Sequence, residues 1–414
     1  MNQGPEGASL ALPSLGPARL LDPKEALELV VREPPPSFVA VALSQASASE
    51  GEACHELAVM ARDLPCILVG FSSHPLPDPP LFDVLLCEEA DPPRPWVGDV
   101  LGPFRAPWRT GAQRQQEQSK LERLFGSLQA SPQASLALIQ LLRISAGLSV
   151  HDGLVAESFV YSMLQSGKEF KAWLERSPWR NWPKKTQVGS PVHLERRGPS
   201  VQGAQSGTGG DLHEEVLTIT LSRVRARNAV DTSMRDALVE AFDLAFELGM
   251  SGEIRRVELC AMGKDFCSGG DLSEFGTGPD PVVNHLIRTL RSPAVGLARA
   301  TSVVHCAALL HGACVGAGIE LASFCHETIA KEGSWFLLPE VSMGLIPGSG
   351  GTVSIPRRIG RERTAWMALT GEAIDLHTAT SWGLVDAVGP APAGPGTGVE
   401  SSGISDAEGP AFLS

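Results

Sequence analysis

The segment that most restricts the fold runs from residue 216 to 261. It opens on VLTITL (216–221), which alternates and is rich in β-branched residues, and closes on a second strand-like run, RVELCA (256–261). Between them SMRDALVEAFDLAFEL (233–248) places Met234, Leu238, Ala241, Phe242, Ala245 and Phe246 on one helical face. Asp231 or Thr232 is positioned to cap this helix, and Gly249 to end it. Strand, helix and strand in so short a span form a right-handed crossover, which requires a parallel sheet.

Further elements extend this pattern in both directions. Residues 37–43 (SFVAVAL), 66–70 (CILVG) and 82–87 (FDVLLC) are short apolar runs bounded by Pro and Gly, with a helical pattern over 50–62 between the first two. They predict a small αβ layer with parallel strands. Ser131-Pro132 places a cap before a proline at the first helical position, opening a helix to residue 144; helices over 151–165 and 168–175 follow. The stretch 303–319 (VVHCAALLHGACVGAGI) is short for a membrane span, holds two histidines and runs into Glu320, so it reads as a buried strand and loop leading into a helix.

Two stretches lack hydrophobic period, 184–211 and 390–414. They divide the 414 residues into an N-terminal unit (1–183), a flexible linker (184–211), a C-terminal unit (212–389) and a disordered tail (390–414). With 34 Lys and Arg against 47 Asp and Glu, the net charge is −13 and no basic run is present. Such a chain is poorly suited to neutralising phosphates, which argues against nucleic acid as a partner. The eight cysteines form no CxxC pair and no zinc spacing, which predicts reduced thiols, a cytoplasmic setting and no metal site. The N-terminus lacks a basic region followed by an apolar one, so no signal peptide is expected.

Candidate chemistry gathers in three places. GKDFCSGGDL (263–272) follows a strand, and its adjacent glycines allow close backbone approach with free N–H groups. HGACVGAGIELA (311–322) is another strand-to-helix turn, whose first amides are unpaired and at the positive end of the helix dipole. Two such turns facing one another would form a two-donor oxyanion hole. The third place is WFLLPEVSMGLIPGSGGT (335–352), where Glu340 lies among apolar residues. Desolvation should raise its pKa, and proximity to Glu320 would raise one of the two further. Paired acids of this kind suit proton transfer to and from a carbon beside a carbonyl. The glycines at 344–351 lack the Lys-Ser/Thr of a nucleotide-binding loop.

In order and spacing, these segments resemble the crotonase, or enoyl-CoA hydratase/isomerase, superfamily. The resemblance is carried by Leu221-Ser222-Arg223 with Asn228-Ala229, by residues 266–272 (FCSGGDL), and by Gly312 with 316–322 (GAGIELA). It continues through Pro339-Glu340, residues 344–348 (GLIPG), Gly350-Gly351-Thr352, Leu369-Thr370-Gly371 and Gly383-Leu384-Val385.

The fold so implied is α/β, a crotonase-like superhelix of ββα repeats over 212–389, preceded by a smaller αβ and helical N-terminal unit. By resemblance, the amides of Gly270 and Ala317 hold a thioester oxygen, and Glu320 and Glu340 match the two acids that position water and exchange protons in hydratases. Arg225, Ala226, Ser268, Asp271, Leu272 and Ser273 would lie along the coenzyme A moiety. Isomerases of the family typically keep only the position of Glu340, so both acids together favour hydration.

The implied substrate is an α,β-unsaturated acyl-CoA. No cofactor is needed beyond the coenzyme A it carries, no membrane is involved, and the chain would form a homo-oligomer, trimeric or hexameric. Alternatives are a double-bond isomerase, a ring-cleaving or cofactor-free oxygenase acting on aromatic or cyclic acyl-CoA, and a non-catalytic acyl-CoA-binding subunit. The family's C-terminal helices are missing after residue 389, yet residues 130–182 resemble them. This predicts that the N-terminal half is a degenerate crotonase-like unit that either stands as a worn-down repeat or supplies its helices to the C-terminal core.

Overall fold

The structure is a computed structural model, and it describes residues 20–31, 36–43, 48–63, 65–98, 120–177, 189–197, 215–278 and 280–389. The expected tail, 390–414, lies outside the described residues.

The chain begins with α1 (Pro23–Val30), β1 (Phe38–Ala42), α2 (Ala48–Asp63), β2 (Ile67–Ser72), β3 (Val84–Cys87) and β4 (Val97–Gly98). The four strands form one parallel sheet in sequential order. Alternate residues explain why these strands are apolar throughout. Phe38, Ala40, Ile67, Val69, Val84 and Leu86 enter the main core, while Val39, Val41, Leu68, Leu85 and Cys87 pack with Leu57 and Ala26 in a second cluster. A strand buried on both faces must be hydrophobic at both parities.

Four helices follow: α3 (Lys120–Ala130), α4 (Pro132–Ser145), α5 (Val150–Gln165) and α6 (Lys168–Arg176). Pro132 occupies the first turn as expected, but the Ser131 side chain makes no capping bond. The carboxylate of Glu169 in α6 accepts instead from the amides of Gln133 (2.7 Å) and Ala134 (2.9 Å). A charged acceptor suits this positive helix end better than a neutral hydroxyl.

Strand β5 (Val192–Arg197) corrects the expected linker. It lies within 184–211, yet pairs antiparallel with β6 (Val216–Leu221) over six residues. Only its Val192 is buried, so hydrophobic period gave no sign of it. Arg196 and Arg197 pair with Glu253 (2.9 Å) and Glu258 (2.6 Å) along this edge.

After β6 come α7 (Thr232–Met250) and β7 (Arg256–Ala261), with β6 and β7 parallel as the crossover requires. Asp231 caps α7 through the amide of Met234 (2.8 Å). The helix runs one residue past Gly249, whose missing side chain leaves room for Val303 and Val304, and the left-handed residue is Gly252.

The remaining elements are α8 (Pro281–Leu290), α9 (Pro293–Ala300), β8 (His305–Leu310), β9 (Ala313–Val315), α10 (Ala317–Ala322), β10 (Glu327–Ala330), β11 (Trp335–Leu337), α11 (Gly351–Ile359), α12 (Arg361–Thr370), β12 (Ile374–Asp375), α13 (Leu376–Trp382) and β13 (Ala387–Val388). From β8 to β11 successive strands alternate between two sheets. β5, β6, β7, β8, β10 and β13 form a six-stranded sheet, and β9, β11 and β12 a three-stranded one. The units β8-β9-α10 and β10-β11-α11 thus each contribute a strand to both sheets before their helix, the repeat of a crotonase-like superhelix.

One hydrophobic cluster runs from Phe38 through Leu138, Leu154 and Phe170 to Val385, so both halves of the chain share a core. Arg361 and Arg363 of α12 also reach backward, to the carbonyls of Phe82 (3.0 Å), Trp96 (3.1 Å) and Pro92 (2.9 Å). No helix of the described residues is long and apolar enough to cross a membrane.

Candidate active site

A short parallel bridge brings the two glycine-rich turns together. The Cys267 amide donates to Ala313 O (3.1 Å) and the Val315 amide to Cys267 O (2.9 Å). Past this bridge one chain turns at Gly269 (φ 93°) and the other at Gly316 (φ 47°), which opens α10. Gly270 and Ala317 therefore face the same cavity, of about 390 Å³. Among the described residues, neither the Gly270 N–H nor the Ala317 N–H finds an acceptor. Two unpaired amides, one at the start of α10 and one in the facing turn, can stabilise a developing oxyanion.

Glu320 and Glu340 line the same cavity, with relative exposures of 1% and 9%. Glu320 stands in the first turn of α10. Its Oε2 accepts the amides of Ser349 (2.6 Å) and Gly351 (2.9 Å) at the start of α11. Burial raises its pKa well above the ordinary carboxyl value, with Glu340 and Glu157 adding to the rise and the two amides opposing it. Glu340 sits in a 3-10 turn after β11, and its Oε2 is buried without a partner. Burial pushes Glu340 up to about 8, its own amide pulling the other way and the charge of Glu157 adding to the rise. Hydrogen bonds to the charged form favour ionisation of Glu320, whereas an unpaired oxygen favours the proton on Glu340. The pair is suited to holding one proton between two carboxyls.

The N-terminal helices complete the cavity. Glu157 of α5, 2% exposed, accepts the amides of Gly350 (2.7 Å) and Thr352 (3.0 Å) and the Thr352 hydroxyl (2.7 Å). Tyr161, one turn further along α5, lines the cavity itself, as does Arg288 of α8. Sequence reasoning missed these three. For Glu157 the signal was present: a carboxylate lies on the stripe of Leu154, Ser158, Tyr161 and Ser162 that α5 buries.

The six residues expected along coenzyme A do not line this cavity. Arg225 and Ala226 belong to a 3-10 turn after β6, and the Ser268 hydroxyl donates to Ala226 O at 3.4 Å. Leu272 and Ser273 form the next 3-10 turn, capped by Asp271. The Asp271 carboxylate accepts from the Ser273 hydroxyl (2.7 Å) and from Arg223 (3.0 Å). Desolvation works against its ionisation, but these hydrogen bonds hold it below the ordinary range. Its side chain is thus committed to the turn. Among the described residues, no group of three His, Cys, Asp or Glu side chains is arranged to hold a metal ion.

A family model described as Enoyl-CoA hydratase/isomerase matches residues 211–393. The 2,3-dehydroadipyl-CoA hydratase of Escherichia coli is 31% identical over 182 residues, covering 43% of this chain and 67% of that protein. The chain belongs to the enoyl-CoA hydratase/isomerase, or crotonase, family. The 1,2-epoxyphenylacetyl-CoA isomerase of Escherichia coli is 32% identical over 174 residues, covering 41% of this chain and 64% of that protein. Among solved structures, an enoyl-CoA hydratase from Bacillus anthracis is similar at 30% identity and a TM-score of 0.38, over 42% of this chain and 66% of that one. The chain spans about two thirds of the length of these relatives, slightly less for the isomerase.

Proposed function

We propose that this protein hydrates α,β-unsaturated acyl-CoA thioesters. The observation that carries the reading is the meeting of two unpaired amides, Gly270 and Ala317, with two buried carboxyls, Glu320 and Glu340, around one cavity. The thioester oxygen would accept both amides. Water held by ionised Glu320 adds through its oxygen to Cβ, losing a proton to that carboxylate. The electron pair of the double bond moves to form an enolate on the thioester, and protonated Glu340 delivers its proton to Cα. Proton exchange between the carboxyls and solvent restores the starting state.

The turns carrying Arg225, Ala226, Ser268, Leu272 and Ser273 would support the coenzyme A moiety, with Asp271 holding their shape. All eight cysteines are buried and none is in a disulfide, which fits a reducing compartment such as the cytoplasm. By family resemblance the working form would be a homo-oligomer, trimer or hexamer, which sedimentation would measure.

The test is incubation with crotonyl-CoA, following loss of the conjugated absorbance and identifying the 3-hydroxyacyl product. Glu320→Gln and Glu340→Gln should each lower turnover about a hundredfold or more, the usual contribution of general acid–base groups. Wild-type turnover in either variant would remove that glutamate from the mechanism. A shifted double bond without water addition would identify an isomerase instead, and binding without turnover a silent acyl-CoA carrier.

A further inference from the structure

Hydration uses four groups of the cavity, and of the polar side chains of its wall that are left over, two stand in contact with one another. Arg288 lies with its guanidinium carbon 3.7 Å over the ring of Tyr161. One of its amino groups donates to the carbonyl of Gly348, beside the turn that holds Glu320. Its Nε is buried and has no acceptor. Among the described residues no carboxylate forms an ion pair with it.

Tyr161 is its stacking partner. It is more than nine-tenths buried, lines the cavity, and makes no hydrogen bond among the described residues. Burial pushes its phenol up to about 12, Arg288 opposing this and Glu340, Glu320 and Glu157 adding to it. The phenol therefore stays protonated and is available as a donor. A stacked guanidinium and a phenol, each with an unused N–H or O–H, present a cation and a neutral donor on one wall.

A plain alkyl chain seated here would remove water from both donors and replace it with nothing, which is costly for buried polar groups. A carboxylate would satisfy both at once, because it accepts several hydrogen bonds and carries the charge that Arg288 lacks. Resting on the acyl-CoA reading of the cavity, we infer that Arg288 and Tyr161 form a subsite for a carboxylate on the acyl group, so that the substrates are dicarboxylic acyl thioesters. The competing role for Arg288 is to balance the charge of Glu157. That carboxylate already accepts three hydrogen bonds from the start of α11, and the two roles make different predictions.

Titration calorimetry with saturated thioesters separates them, because nothing reacts. Adipyl-CoA and hexanoyl-CoA have the same chain length and differ by the terminal carboxylate; free coenzyme A serves as the reference. The wild-type protein should bind adipyl-CoA about 10- to 100-fold more tightly than hexanoyl-CoA, the range expected of charge-assisted hydrogen bonds. In Arg288→Gln that ratio should fall to near one, and in Tyr161→Phe it should fall part of the way. Should Arg288→Gln fail to fold, Tyr161→Phe and the wild-type ratio still decide the matter.

Equal wild-type affinities for the two thioesters would overturn the inference. So would an Arg288→Gln variant that weakens coenzyme A, hexanoyl-CoA and adipyl-CoA in parallel, the signature of a phosphate contact or a balancing charge. Hydration of hex-2-enoyl-CoA, measured beside these titrations, keeps the two readings apart. Turnover without carboxylate preference removes the subsite and leaves the hydratase; preference without turnover does the reverse. Failure of both thioesters to bind removes both.

Discussion

Glu157 and Glu320 divide four consecutive backbone amides between them. Ser349 and Gly351 donate to Glu320, while Gly350 and Thr352 donate to Glu157. Alternate amides of the turn point to opposite sides, so a carboxylate from α5 fixes from behind the turn that a carboxylate of α10 grips from the cavity. Both acids also lie at the positive end of α11, where negative charge is stabilised.

Glu157 is therefore expected to position Glu320 without touching substrate. Glu157→Ala frees two buried amides and a hydroxyl, and should lower kcat roughly 10- to 100-fold, the scale of a small misplacement at a reacting centre. KM should change much less, and Glu157→Gln, which keeps one acceptor oxygen, should recover part of the rate. Steady-state kinetics on all three forms provides the check; a purely structural glutamate would alter the amount of folded enzyme and leave the kcat of the folded fraction alone.

Two glycines test the carboxyls separately. A Cβ on Gly316 would lie 2.5 Å from Glu340 Oε1, at a residue whose φ is 47°. On Gly351 it would lie 2.6 Å from Glu320 Cγ. Gly316→Ala and Gly351→Ala should each cost about a hundredfold in kcat. A crystal structure of each variant should show Glu340 displaced in the first and Glu320 in the second; unmoved carboxyls with full activity would contradict both expectations.

The raised pKa of Glu340 predicts two pH effects. Turnover needs one proton on the carboxyl pair, so the rate should be bell-shaped, with its alkaline limb near the value of about 8 set by burial of Glu340. The stability effect runs in one direction. A folded-state pKa above the unfolded one favours folding fully below pH 4.5, and this contribution is lost as pH rises toward 8, at about 1.4 kcal/mol per pH unit for a single group. Glu340→Gln removes the titration, so its Tm relative to wild type should increase from pH 5 to pH 8. A constant difference across that range would show that Glu340 does not titrate there.

The small parallel sheet is tied to the helices by a buried ion pair. Arg143 of α4 reaches Asp83 Oδ2 at 2.5 Å and Oδ1 at 2.9 Å, and Asp83 also accepts the Leu68 amide at 2.8 Å. Asp83→Ala should destabilise the protein by about 3–5 kcal/mol, because it removes the carboxylate that neutralises a largely buried arginine. Chemical denaturation of the variant, compared with Asp83→Ala/Arg143→Met, should show recovery when the arginine is also removed.

Much of the C-terminal fold was legible because its strands and its first helix follow simple periods. The site turns were legible for a different reason: Gly269, Gly270, Gly316 and Glu320 depend on local backbone geometry, which short motifs encode. Strand β5 was not legible, since an exposed edge strand with one buried residue has no apolar period. Arg288 and Tyr161 were hidden because neither has a local motif and their meeting depends on packing between α5 and α8. Glu169 displacing Ser131 as the cap of α4 is a similar case, a tertiary contact overriding the nearest hydroxyl.

Helices α4 to α6 precede in the chain the strands and turns whose cavity they complete. During synthesis they leave the ribosome first, since chains emerge from the N-terminus. Glu157 must then remain in water until the amides of Gly350 and Thr352 have been made, nearly two hundred residues later. Arrival of α11 both closes the cavity and removes this carboxylate from solvent. The last turn of the site to be synthesised is thus the one that locks its earliest wall in place.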